Sequence, residues 1–200
     1  AADVLFSTLL FIPSIFLIAA FPALSRLYEQ KSDALVALMR KSFDMLILIS
    51  IPLGLGLFVL GTQIVVLLYG DEFTNSGPVL SIMGIVLIFT YLNMLVGKFL
   101  ISINLQNKFT VVMAIAMIAS IPLDIILVPW CQETFGNGAI GGALSFVLTE
   151  SGMLVFGILL LPKGSLGRSN VWFGSRVFLI GLIMAFVVWQ VRDLFIAIPI

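Results

Sequence analysis

Residues 79–103 read VLSIMGIVLIFTYLNMLVGKFLISI, with Lys98 as the single charge in the run. A bilayer core ~30 Å thick is crossed by about 20 mostly apolar residues in a helix, and this run exceeds that length. It is apolar all the way round rather than along one stripe, and far longer than a buried strand. Five more runs of the same kind lie at 4–24, 43–69, 109–130, 139–161 and 172–191, separated by short polar connections. Backbone groups in lipid find no water, so a helix, which pairs them within its own segment, is the economical solution. The alternation of a membrane β-barrel is not visible. The expected fold is an all-α membrane protein, a bundle of about six transmembrane helices.

Composition leads to the same place. The chain is 61% hydrophobic and 10% charged, against about 45–50% and 25% in soluble domains. Ten basic and ten acidic residues cancel, so nothing in the charge balance points to nucleic acid, and the bilayer is the expected surround. Histidine is absent and Cys131 is the only cysteine. That removes Ser-His-Asp triads, histidine zinc sites, cysteine metal clusters and the commonest general base. No enzyme activity, cofactor or metal is expected. The chain opens Ala1-Ala2-Asp3 with no initiator Met and no basic stretch ahead of its first apolar run, so a signal peptide is not indicated. A fragment of a longer protein, cut at both ends, is the expectation.

Lys and Arg fall in alternate connections. Arg26, Lys31, Arg40 and Lys41 lie in 25–42, Lys108 closes 104–108, and Lys163, Arg168 and Arg176 lie in 162–176. The intervening connections carry Asp71, Glu72 and Glu133 instead. The positive-inside rule makes the three basic segments cytoplasmic and places the chain in the cytoplasmic membrane as a multi-pass protein. Within 25–42, Leu35, Leu38, Met39 and Phe43 recur at helical spacing. That pattern fits an interfacial helix or an early start of the second span.

Pro13, Pro22, Pro52, Pro122 and Pro129 interrupt the spans. Each removes a backbone hydrogen bond and tends to bend its helix. Pro52, Gly54, Gly56 and Pro122 are the hinge candidates, with close packing as the alternative for each. Three ionisable residues lie inside spans, where a charge costs at least about 2.5–3.5 kcal/mol and needs a partner, water or a function. Glu150 is the deepest, Asp124 is nearer the outer surface, and Lys98 is near enough to the cytoplasmic end to snorkel. All three are candidates for substrate contact or coupling. An upright arrangement separates Lys98 and Glu150 axially by roughly 12 Å, which opposes a direct ion pair.

The order of features resembles a known family. Phe21-Pro22-Ala23-Leu24-Ser25-Arg26-Leu27 ends the first span, Ile51-Pro52-Leu53-Gly54-Leu55-Gly56 breaks the second, and Leu67-Leu68-Tyr69-Gly70-Asp71-Glu72-Phe73 turns outward. Then Pro122-Leu123-Asp124-Ile125-Ile126-Leu127-Val128-Pro129 precedes Gly136, Gly138 and Ile140-Gly141-Gly142-Ala143-Leu144. This is similar to the polysaccharide or O-antigen flippases of the multidrug and oligosaccharidyl-lipid flippase superfamily, with Asp124 where Asn is common. The resemblance implies two six-helix lobes and alternating access, with a polyprenyl-linked oligosaccharide as substrate. Residues 1–161 would be five spans of the second lobe, including the cytoplasmic loop 25–42, and 162–200 a cytoplasmic linker with a sixth span. The N-terminal lobe would be a missing partner. A cation-coupled multidrug exporter of the same superfamily is the alternative, with an integral membrane transferase or a non-transporting scaffold further behind.

Overall fold

A computed structural model describes residues 2–196 of the chain. It is 90% helical, with no strand among the described residues. Helices α1 (Ala2–Leu9) and α2 (Phe11–Glu29) form one span, followed by α3 (Ala34–Tyr69), α4 (Gly77–Ser102), α5 (Gln106–Phe135), α6 (Gly138–Leu159) and α7 (Arg168–Ile196). A short 3₁₀ turn, Asp71–Ser76, links α3 to α4. Six spans are long and apolar enough to cross a membrane, as the apolar runs require. The ends differ from the expected ones chiefly at 25–42. That stretch, expected as a loop, is helical on both sides of a turn at 30–33. The helical spacing of Leu35, Leu38 and Met39 belongs to an early start of α3, because Met39 and Phe43 are already buried in the bundle.

The break between α1 and α2 has a local cause. Pro13 has no N–H to give to the carbonyl of Leu9, four residues earlier. In the bilayer that carbonyl needs another donor, and the hydroxyl of Tyr91, buried on α4, donates to it at 2.6 Å. The proline-induced gap thus fastens the first span to the central helix. Phe6 packs edge-on against Phe146 of α6, centroids 5.9 Å apart.

α4 is the axis of the bundle. It packs on α1, α2, α3 and α6 and is the most buried of the spans. Its contact with α3 depends on small residues. A Cβ on Gly54 would run into the carbonyl of Gly84, and a Cβ on Gly84 into the carbonyl of Gly54. Further along, Gly61 faces Ser81, and Gly77 faces Thr62. Such close approach replaces the hydrophobic effect as the source of helix association in lipid, through dispersion. Gly54, a hinge candidate, therefore sits at a tight crossing, while Gly56 faces open space.

At one end of the bundle the turns are tied together. Asn137 caps α6 by accepting from the N–H of Ala139 at 3.1 Å, and its Nδ2 donates to the carbonyl of Asn75 at 2.7 Å. At the other end, Arg40 Nη2 donates to the carbonyl of Gly164 at 2.6 Å. Buried Asn170 donates to the carbonyl of Arg40 and, at 2.7 Å, to the Asp44 carboxylate. These bonds fix the start of α7, which then packs along α3, with Gly174 and Gly181 against Ile47, Ile51 and Leu55.

Gly84→Leu is expected to lower the detergent melting temperature, since overpacking costs about 1–3 kcal/mol. Gly56→Ala should leave it unchanged or raise it. Circular dichroism thermal scans distinguish the two, and equal behaviour would contradict the crossing described.

Candidate functional site

Glu150 lies on α6 and Asn93 on α4, each nine residues from the C-terminal end of its helix. Both helices run the same way through the bundle, so the two residues stand at matching depth. Asn93 Nδ2 donates to the Glu150 carboxylate at 2.8 Å and to the Glu150 backbone carbonyl at 2.8 Å. A carbonyl can only accept, which fixes the amide nitrogen on that side and leaves the Glu150 oxygen as an acceptor. Asn93 is 3% exposed, and its Oδ1 is buried without a partner.

These residues border a cavity of about 310 Å³ between α4, α5 and α6, whose lining includes Thr90, Asn93, Lys98, Phe109, Met113 and Glu150. Phe109, at the first turn of α5, closes the end nearest the Lys108 connection. Its ring lies against Gly97, where a Cβ would stand 2.7 Å away, and beside Gly157 at 3.6 Å. Two glycines on neighbouring helices thus make the slot that holds one aromatic ring.

α5 meets α6 closely again at its far end, where a Cβ on Gly141 would strike the backbone of Leu127 and Val128. Between these two points α5 and α6 stay packed on each other, in one of the two most extensive helix contacts among the described residues. A second cavity of about 300 Å³ contains Met113, Ser120, Thr149 and Glu150. A third, about 170 Å³ and almost wholly apolar, contains Ile115, Ala119, Leu123, Leu148, Gly152 and Phe156. Pro122 lies in this stretch of α5, whose buried residues, Phe109 and Cys131, stand near its two ends.

Of the three intramembrane charges, the structure brings Glu150 and Lys98 to one cavity. The offset expected for upright helices is bridged by the cavity rather than by contact, and the Lys98 ammonium lies 5.6 Å from the centroid of the Phe21 ring. Asp124 is exposed on α5 and borders none of the three cavities. Asn93 and Phe109 do not stand out when a sequence is searched for ionisable groups. An amide near the middle of an apolar span is the signal that marks Asn93, because it needs a partner in lipid as a charge does.

Residues 2–197 match the family model described as Lipid II flippase MurJ. The chain belongs to the lipid II flippase MurJ family. Neither curated proteins nor solved structures give a match. The MurJ family lies in the flippase superfamily expected from the sequence, but it is a peptidoglycan-precursor family, which corrects the narrower O-antigen expectation. The motifs that carried the resemblance are features of helix architecture shared across the superfamily, so they do not discriminate the sugar. MurJ is a transporter rather than a classical enzyme, and the family together with the six spans of this chain fits a multi-pass protein of the cytoplasmic membrane.

The Asn93–Glu150 pair generates a double-mutant test. Asn93→Leu should destabilise by about 1–3 kcal/mol, because it leaves a buried acceptor unpaired. Asn93→Leu combined with Glu150→Met should recover most of that loss. Thermal melts of the single and double variants in detergent read the coupling, and strictly additive losses would contradict the pairing.

Proposed function

We propose that this chain is one lobe of a transporter that moves lipid II, a lipid-linked peptidoglycan precursor, across the cytoplasmic membrane by alternating access. The observation that carries the reading is a cavity at membrane depth, largely apolar but bordered by Glu150, Asn93 and Lys98, in a chain of the lipid II flippase family. A static scaffold has no use for a carboxylate, an amide and an ammonium around unfilled space inside a membrane, where each is costly. The second lobe, expected N-terminal to this one, would close the cavity from the side that α5 leaves open. The three basic connections then face the cytoplasm, so Lys98 meets substrate near the leaflet where the precursor loads.

In this mechanism Glu150 is the coupling group. Asn93 holds its carboxylate in place, and changes in hydration as the lobes rock alter its ionisation. The hinge is assigned to Pro52 and Pro122, whose missing backbone bonds allow bending. Gly54 acts through packing and Gly56 through the space beside it.

Glu150→Gln in the full-length protein should insert and fold normally while lipid II translocation in proteoliposomes falls about tenfold or more, the effect of ~1.4 kcal/mol on a barrier. Undiminished translocation would remove Glu150 from coupling. Topology is checked separately in sealed cells. Thiols introduced at Asp71 and Phe135 should react with an impermeant reagent, and those at Lys31 and Lys108 should not; the reverse pattern would invert the orientation.

A further inference from the structure

The Asn93–Glu150 pair lies in the seam where α4 packs on α6. Nearer the Lys108 connection, the same seam receives the ring of Phe109 from α5. Gly97 stands four residues beyond Asn93 on α4 and Gly157 seven residues beyond Glu150 on α6, which places them about 6 Å and about 10 Å further toward that end. Neither has a side chain to keep the ring out. A Cβ on Gly97 would lie 2.7 Å from the ring edge, and one on Gly157 3.6 Å from it. Phe109 is 6% exposed, so its ring plugs the seam between the polar pair and the end that the basic connections assign to the cytoplasm.

α5 packs on α6 but hardly touches α4, so at this level the plug depends on a side chain rather than on a packed helix. The start of α5 is itself held beside α4, because the turn at 103–105 is closed by bonds from the N–H of Asn104 to the carbonyl of Ile101 and from that of Leu105 to the carbonyl of Leu100, 3.1 and 2.8 Å. Opening therefore takes a rotation of the ring and not the departure of the helix. The cavity of about 310 Å³ that Phe109 borders provides the space for the ring to turn into. On the far side of the ring the groups that would receive water are already assembled. Thr90 and Asn93, three residues apart and thus on one face of α4, border that cavity together with Glu150. Thr90 Oγ1 and Asn93 Oδ1 are buried without a partner. A buried water needs about two to four polar partners, and these three residues supply them.

We propose that Phe109 is a gating residue on a water route from the cytoplasm to Glu150 inside this lobe. With its ring between Gly97 and Gly157 the route is shut, and with the ring turned into the cavity it is open. The inference rests on the coupling role given to Glu150 under Proposed function and deepens it, since it assigns the change in hydration to one side chain.

The test uses the full-length protein in sealed vesicles of both orientations, with Cys131→Ala to remove the native thiol and Thr90→Cys as the reporter beyond the ring. A membrane-impermeant methanethiosulfonate ammonium reagent is added to one face at a time. Phe109→Ala should speed modification from the cytoplasmic face about tenfold or more, the effect of ~1.4 kcal/mol on the barrier to entry, and leave the rate from the outer face unchanged. Gly97→Ala should do the same with the phenyl ring intact, because its Cβ displaces the ring from the seam, so the test stands even where Phe109→Ala does not fold. Gly142→Ala, beside open space on α6, should alter neither rate. Indifference to both Phe109→Ala and Gly97→Ala, or equal acceleration from both faces, would overturn the gate. Faster cytoplasmic modification alongside undiminished lipid II translocation by Phe109→Ala would support the gate while refuting the coupling role of Glu150 on which transport is read.

Discussion

A polar group in a bilayer that loses its partner has no water to turn to, and this constraint organises the whole chain. It explains why α1 and α2 are fastened where they break. Pro13 frees the Leu9 carbonyl, and Tyr91 of α4 answers it. It also explains why Glu150 is found where it is, since a carboxyl group at that depth requires a partner and Asn93 donates to it, and to the Glu150 backbone carbonyl as well. In both cases the donor belongs to α4. The helix that is most buried is also the one that satisfies its neighbours, so stability and the geometry of the site come from the same element.

Close packing and open space are distributed unevenly around that axis. On the α3 side, Gly54, Gly61, Gly77 and Gly84 bring backbones together. On the other side α5 packs on α6 but hardly touches α4, so cavities open beside the α5–α6 pair. A transporter lobe needs both behaviours. α3 and α4 are held together on either side of Pro52, with α7 fastened to α3 through Arg40, Asp44 and Asn170. α5, packed on α6 but hardly on α4 and carrying Pro122, has the freedom to bend on the cavity side.

Individual residues show how far the sequence could be read. Lys98 and Glu150 are conspicuous because charges are rare in spans, and both border the cavity. Asp124 is equally conspicuous and stands apart on an exposed face. Their difference cannot be read from depth, because depth gives a position along a helix axis and not the direction a side chain takes around it. Gly54 and Gly56 illustrate the same point. Two residues apart, they look alike in sequence, yet one meets Gly84 and the other meets nothing.

Hydrophobic runs longer than a bilayer is thick determined by themselves that the chain is a helical membrane protein of six spans, because length and apolarity are local properties that lipid tests directly. Alternating basic connections likewise supported an orientation from composition alone. Only the tertiary structure decided that Asn93 is the partner of Glu150, that Lys98 shares their cavity, and that α5 packs on α6 rather than on α4. Those facts depend on which faces of separate helices meet, and in lipid, where every exposed face is apolar, hydrophobic pattern cannot distinguish one face from another.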